Sequence, residues 1–415
     1  MQAFAILCDE TKVDYMSDVS VSGNFDFRPD DAGWYLGDPH AAYRRLRREA
    51  PLHWYEPDRF WFLTKHADVF AVSKDPATFC SSKGFRIHDN LRTGGGIEGI
   101  PPSILGMDPP DHTRYRGLVS RFFTPRSMNH IEERIREIAR EALDRIETGK
   151  VVDFVELVSV PLPVLVIAEL LGVPLEDQKK FKEWSDDLIA ANDGNMEAVG
   201  RVADLFAYMI GHALDRRSAP RDDLLTVVAT GEPNGRLLDD MELGIFGVSL
   251  LGAGNETTRN AISGGAIALM ENPEQRALLV EDPSRIASAV EEIVRWVSPI
   301  KSFARTATCN TEIRGQRIAA GDFVVLSYTS ANRDEEVYGP TAEELDVRRT
   351  GAAAHLGFGV GQHFCLGAHL ARLELKILFE ELLARFPRFE LAGEVQRLRS
   401  TLINGVEHLP VVFSS

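Results

Sequence analysis

The chain has 415 residues, 44% hydrophobic and 26% charged, ordinary proportions for a folded globular protein. It carries 46 Lys and Arg against 62 Asp and Glu, a formal charge of −16, so it lacks the concentrated basic face that tracks a phosphate backbone, and nucleic acid is excluded as a partner. Its four cysteines, Cys8, Cys80, Cys309 and Cys365, are scattered and form no CxxC pair, which excludes a zinc ribbon and favours a reducing compartment over a disulfide framework.

Ala3 to Cys8 form a short apolar run that stops at Asp9 and Glu10, without the basic start or longer apolar core of a signal peptide. Leu157–Ala168 and Leu243–Gly254 are the most apolar stretches, and each is too short for the roughly 20 residues that span a bilayer. A cytoplasmic protein with no membrane anchor is expected.

The run Arg44-Arg45-Leu46-Arg47-Arg48 reads as a solvated helix face. Strands are expected at Leu52–Tyr55, Phe60–Leu63, Glu312–Ile318 and Phe323–Ser327. Ser81–Ser103, with Gly94, Gly95, Gly96 and Gly99, reads as a long loop of the kind that serves as a lid or binding loop. Helical periodicity covers Arg126–Gly149, Pro174–Ala190, Met196–Arg217, Asp239–Leu269, Pro273–Val280, Ser284–Trp296 and Gly367–Phe386. Helices lead and strands are few, so one large α-rich domain with a small β region is expected over 1–415, with 1–20 as an N-terminal extension.

The densest chemical signal is His355-Leu-Gly-Phe358-Gly359-Val-Gly361-Gln-His363-Phe-Cys365-Leu-Gly367, running into a helix. A cysteine where a glycine-rich turn enters a helix meets backbone N–H groups and the positive helix end, which stabilise a thiolate. Gly359, Gly361 and Gly367 permit positive φ and let a flat group lie against the backbone, and Phe358 can shield the sulfur. In Gly252-Ala253-Gly254-Asn255-Glu256-Thr257, small residues inside a helix leave a groove beside an acid and an alcohol, and Thr257 can bond back to the carbonyl of Ala253. Gly252-Ala-Gly254 has no preceding strand and no third glycine in register, so it is not a dinucleotide fingerprint. Glu292 and Arg295 form an i,i+3 pair, and His112 and Arg116 an i,i+4 pair. The motifs HExxH, GxSxG and GxxxxGK[ST] are absent, so zinc proteolysis, nucleophile-elbow hydrolysis and Walker-type phosphate binding have no support.

Phe358, Gly361, Cys365 and Gly367 match the FxxGxxxCxG signature of the cytochrome P-450 family, which the chain resembles over nearly its whole length. The resemblance implies a single mainly α haem domain, with haem b between the long central helix and the cysteine-loop helix. It implies Cys365 as axial ligand of the haem iron, with Phe358, Gly359, Gly367 and Ala253 against the cofactor. His112, Arg116, Arg305 and His363 match the partners of the haem propionates, and Glu256 and Thr257 the proton-organising pair. Glu292 and Arg295 match a buried structural network whose third member is Arg349, with Arg348 as its rival. Phe85, Ile87, Leu91, Ile97 and Ile100, in the loop that folds over the distal pocket, are substrate-contact candidates with Val248 and Leu251.

The activity implied is a soluble bacterial-type monooxygenase that uses dioxygen to hydroxylate or epoxidise a hydrophobic small molecule, of sterol, terpenoid or branched-lipid type. Electrons are expected from NADH or NADPH through a separate ferredoxin and ferredoxin reductase, the donor docking near Arg121 and Arg126, and the protein is expected to be a monomer. A peroxide-using haem-thiolate enzyme and a non-enzymatic haem sensor are the alternatives; Glu256-Thr257 argues against the first.

Overall fold

Apolar residues recurring at the helical period build most of the chain. The computed structural model describes residues 25–89, 92, 101–128, 131–192 and 196–414. In chain order the helices are α1 (His40–Glu49), α2 (His66–Ser73), α3 (Asp111–Ser120), α4 (Pro125–Met128), α5 (Glu132–Leu143), α6 (Pro161–Leu170), α7 (Gln178–Asn192) and α8 (Met196–Ser218). They continue with α9 (Leu224–Thr230), α10 (Asp240–Glu271), α11 (Pro273–Glu281), α12 (Ile286–Val297), α13 (Tyr328–Ala331), α14 (Glu335–Tyr338) and α15 (Ala368–Arg385).

α10 is the axle. Its start is fixed by a capping box in which the Asp239 carboxylate accepts the Glu242 N–H and Glu242 accepts the Asp239 N–H. α6, α8, α12 and α15 pack around it. At Gly244 a Cβ would fall 2.5 Å from the Phe206 ring, so only glycine lets α8 cross this closely.

The main sheet joins β1 (Leu52–Tyr55), β2 (Phe60–Leu63), β3 (Phe79–Cys80), β5 (Ser302–Ala307) and β8 (Phe323–Ser327) in the order β1-β2-β8-β5-β3. β2 and β8 run parallel, and the other pairs are antiparallel. Phe60, Phe62, Phe323 and Val325 pack under α1, while Trp61, Leu63, Val324 and Leu326 pack on α2. Both faces are covered, which is why these strands read as continuous apolar runs. Three small sheets complete the chain: β4 (Val151–Asp153) with β9 (Arg388–Leu391) and β12 (Pro410–Ser414), β6 (Thr311–Ile313) with β7 (Gln316–Ile318), and β10 (Gln396–Arg397) with β11 (Val406–His408).

Three expectations are corrected. Glu312–Ile318 is a hairpin, because Arg314 and Gly315 take φ of 52° and 77° and turn the chain between β6 and β7. The helix expected over Arg126–Gly149 is split into α4 and α5 and ends at Leu143. Arg47 is buried rather than solvated; its guanidinium donates to Glu335 at 3.1 Å, to Glu343 at 2.7 Å and to Ser330. Those acids lie almost 300 positions away, so no local pattern announces them. Among the described residues no helix is long and apolar enough to cross a membrane.

Candidate active site

Cys365 sits half-buried at the mouth of α15. Its N–H donates to the Phe358 carbonyl at 2.7 Å, closing the loop, and its sulfur accepts the N–H of Gly367. Burial pushes the thiol up, while the Gly367 N–H and the Arg116 and Arg372 guanidiniums pull it down. Gly359 and Gly361 take φ of 66° and 76°; a Cβ at Gly361 would lie 2.5 Å from the Ser73 carbonyl oxygen, so the loop can seat on α2 only with glycine there. Gly367 differs from expectation. Its φ is −86°, because it opens α15 as the cap, and its missing side chain leaves open space beside the sulfur. Arg372 stacks 4.4 Å from the Phe358 ring and pairs with Glu291 at 2.6 Å, which fixes the aromatic below the loop.

Four basic side chains from three elements meet beside this loop. His112 and Arg116 come from α3, Arg305 from β5 and His363 from the turn before Cys365, and all line one cavity. The rings of His112 and His363 are 4.2 Å apart, and His363 Nε2 is 3.1 Å from Ser81 Oγ. Arg116 donates to the Phe364 carbonyl at 2.6 Å, and Arg305 to the carbonyl of Ala304 at 2.6 Å. His112 Nδ1 is buried with no hydrogen-bond partner. Burial, then neighbouring arginines, lowers His112 to about 4 and His363 to about 2; burial also lowers Arg305. The nearby acid, Asp108, is engaged by the N–H groups of Ser81 and Ser82 at 2.8 and 3.0 Å. Arg305 is a buried guanidinium with no carboxylate paired to it among the described residues, Arg116 stands beside it, and the two neutral imidazoles can each donate an N–H, so this cluster fits an anion with more than one acceptor group. A flat group with two carboxylates and a metal above the sulfur, which is what a haem presents, matches these residues.

Across the cavity runs the middle of α10. Thr257 Oγ1 donates to the Ala253 carbonyl at 3.2 Å, as its spacing predicts, and Asn260 Nδ2 donates to Glu256 Oε1 at 3.0 Å. Ala253, Glu256 and Thr257 all face the cavity, and a Cβ at Gly252 would meet nothing within 4 Å. Gly254 lines the cavity as expected, and its Cβ position lies 3.3 Å from Ile167, so a side chain there would press on α6 at the cavity wall.

The cavity has a volume of about 930 Å³. Phe85, Ile87 and Val248 line it as expected. Leu251 does not; three positions past Val248, it is fully buried against the helical core. Leu91, Ile97 and Ile100 lie outside the described residues. The sequence reading missed much of the apolar wall: Ile167, Leu188, Phe246, Pro299, Ile300 and Phe303 line it too. The tail at Leu398–Ile403, within the Leu398–Gly405 stretch whose resemblance suggests the substrate class, forms another side.

Behind the loop, Arg295 makes two 2.7 Å bonds to Glu292, and Arg349 reaches the same carboxylate at 3.1 and 3.2 Å. Arg348 is exposed and pairs with Asp346, so Arg349 is the third member of the network. Arg295 also donates to the carbonyls of Asn332, Ala342 and Glu344, tying α12 to the segment that leads to the cysteine.

The Cytochrome P450 family model matches residues 196–402. The chain is 37% identical to cytochrome P450-terp of a Pseudomonas species over 401 residues, 90% of this chain and 93% of that one. It is 38% identical to linalool 8-monooxygenase of Pseudomonas putida, covering 90% and 95%, and 36% identical to steroid C26-monooxygenase of Mycolicibacterium smegmatis, covering 91% of each. Among solved structures it is similar to CYP109E1 of Bacillus megaterium in complex with testosterone, with TM-score 0.81, 33% identity, and 91% and 99% coverage.

Proposed function

The chain is a monooxygenase of the cytochrome P450 family, and on that premise we propose that it inserts one oxygen atom from dioxygen into a hydrophobic terpenoid, sterol or branched lipid. One observation carries the reading: a single cavity joins the Cys365 sulfur, four basic side chains, the Glu256-Thr257 pair and an apolar wall. A pocket of this kind holds an apolar ligand and leaves a few polar groups to orient it.

In this reading residues 1–415 are one haem domain and Cys365 would hold the haem iron through its sulfur, which the Gly367 N–H steadies. His112, Arg116, Arg305 and His363 would hold the two propionates, which would give the Arg116 and Arg305 guanidiniums an anion to pair with and the two imidazoles an acceptor. When bound, the haem supplies the oxygen-activating chemistry; the protein supplies position, protons and a dry pocket. Thr257 carries an exchangeable proton into the cavity, and its bond to Ala253 fixes where that proton is held. Glu256 is the acid next to it, oriented by Asn260. Phe85, Ile87, Phe246 and Ile300 exclude water and hold the apolar substrate over the cofactor face.

The substrate class is supported by relatives named for linalool and steroid oxidation and by the volume and apolarity of the cavity. Electrons come from NADH or NADPH through a ferredoxin and its reductase, docking over exposed Arg121. The test is spectral titration of the haem-loaded protein with terpenoid, steroid and fatty-acid panels, followed by NADH-linked oxygen consumption with ferredoxin and reductase. Stoichiometric oxygenated product is expected. Product with hydrogen peroxide alone would establish a peroxygenase, and ligand binding without any turnover would establish a sensor.

A further inference from the structure

A second cavity, of about 290 Å³, lies between the start of α1, the end of α10, the end of α12 and the β10–β11 segment. It is lined by an unusual concentration of cations for so acidic a protein: His40, Lys301, Arg333 and Arg397. We propose that this cavity is a binding site for a small oxyanion, a phosphate or carboxylate group, held by Arg397, Arg333 and His40 beside Lys301. The proposal is independent of the oxygenase reading.

Burial and partner accounting carry it. Arg333 is 7% exposed and Lys301 5% exposed, yet neither they nor Arg397 form an ion pair among the described residues. Arg333 stacks 3.7 Å from the Trp296 ring, and its hydrogen bond among the described residues goes to the Trp296 carbonyl at 3.2 Å, so the guanidinium keeps donors for a ligand. Lys301 donates to the carbonyls of Ser400 and Ile403 at 2.8 and 2.5 Å and lies 4.7 Å from the Tyr35 ring. His40 Nδ1 is buried with no partner. Acids stand near but do not pair with this charge among the described residues: Glu343 and Asp38 act on Arg333 electrostatically, Glu343 bonding Arg44 and Arg47 at 2.8 and 2.7 Å and Asp38 accepting the His40 N–H at 2.9 Å, while Glu271 is exposed. Electrostatics agree with the geometry. Burial and then Arg397 lower Lys301 to about 7, burial lowers Arg333 to about 9, and burial followed by Arg333 and other arginines lowers His40. Two buried cations, Lys301 and Arg333, stand beside an exposed arginine and an imidazole, a setting that an anion would relieve.

The position has a consequence for the larger cavity. Leu398–Ile403 lines the haem-side cavity, whereas Arg397, Asn404 and Val406 line the second, so one segment is the wall between them. Lys301 anchors that wall through Ser400 and Ile403. An anion on Arg397 therefore braces a segment that also walls the larger cavity.

The experiment uses the haem-loaded protein, titrated calorimetrically with inorganic phosphate and, separately, acetate, with chloride holding ionic strength constant. Saturable binding of one site per chain is expected, and the stronger of the two ligands identifies the group. Arg397→Glu, on an exposed strand, should weaken it about tenfold, as loss of a charge-assisted bond predicts, and His40→Ala should weaken it by loss of an imidazole hydrogen bond, with haem content unchanged in both. Absence of saturable heat with both ligands overturns the proposal. So does equal affinity in wild type and both variants, or an equal response to chloride alone.

Discussion

The imidazole rings of His112 and His363 stand 4.2 Å apart, with Arg116 and Arg305 beside them in the same cavity, and no carboxylate pairs with any of the four among the described residues. Such an arrangement is costly until an anion arrives, which gives an effect of opposite sign in the two forms of the protein. Arg305→Leu removes a buried guanidinium whose hydrogen-bond partner among the described residues is the Ala304 carbonyl. In haem-free protein it should raise the melting temperature, and in haem-loaded protein it should speed haem loss to a scavenger about tenfold. A fall in both readings would mean that Arg305 only braces the sheet.

The Glu292–Arg295–Arg349 network predicts a different failure. Both Glu292 and Arg295 are fully buried, and Arg295 supplies carbonyl contacts from α12 to three points of the following chain. Arg295→Ala takes away the guanidinium nearest the buried Glu292, leaving Arg349 and the Asp346 N–H on that carboxylate, and unpairs three carbonyls; it should cost about 3–5 kcal/mol, a large part of a typical net stability. Urea unfolding measures it. Arg348→Ala, at an exposed pair, should change stability by less than about 1 kcal/mol, and equal losses would put the network elsewhere.

Glu374, on α15, is 1% exposed, has no hydrogen-bond partner at Oε2, and is pushed up to about 8 by burial alone, from an ordinary value of 4.5. Between those two values the folded protein keeps a proton that the unfolded chain has lost, so stability falls as pH rises, by at most about 1.4 kcal/mol per pH unit. Below the lower value both states are protonated and the penalty vanishes. Glu374→Gln keeps the shape and removes the titration. Its stability relative to wild type should therefore increase from pH 5 to pH 9, read by denaturant unfolding at both. A difference that does not change with pH would show that water or a neighbour solvates the carboxylate.

How much of this was legible depended on the distance over which each feature is decided. Leu52–Tyr55, Phe60–Leu63 and Phe323–Ser327 were read with their observed boundaries, since a strand covered on both faces declares itself by its own residues. The Thr257–Ala253 bond follows from one helical turn. β5 was not read as a strand, because Ser302, Arg305 and Thr306 interrupt the apolar pattern; Arg305 is buried at the wall of the cavity, a position that strand propensity does not describe. Arg47 was misread because Glu335 and Glu343 are far off in sequence. Leu251 was misread for a smaller reason: on a helix buried on several sides, a register of 100° per residue separates cavity from core, and apolarity does not distinguish the two.

The sharpest mechanistic prediction concerns Thr257. Its hydroxyl sits at the cavity wall, held by the Ala253 carbonyl at 3.2 Å, with Glu256 beside it in the chain. If that hydroxyl places a proton where dioxygen is reduced, Thr257→Ala should keep haem content, substrate affinity and NADH consumption near wild type. Product per NADH should fall at least about tenfold, because a positioned proton donor contributes about 10²–10⁴ to such a step. The missing electrons should be recovered as hydrogen peroxide. A packing role predicts the reverse pattern, a lower melting temperature with product per NADH preserved. Thr257→Ser keeps the hydroxyl and loses only a methyl group, so it should restore coupling if the proton matters and should not if the methyl contact does. Measuring product, peroxide and NADH together in wild type, Thr257→Ala and Thr257→Ser separates the two roles, and equal coupling in all three would refute the proton-placing role.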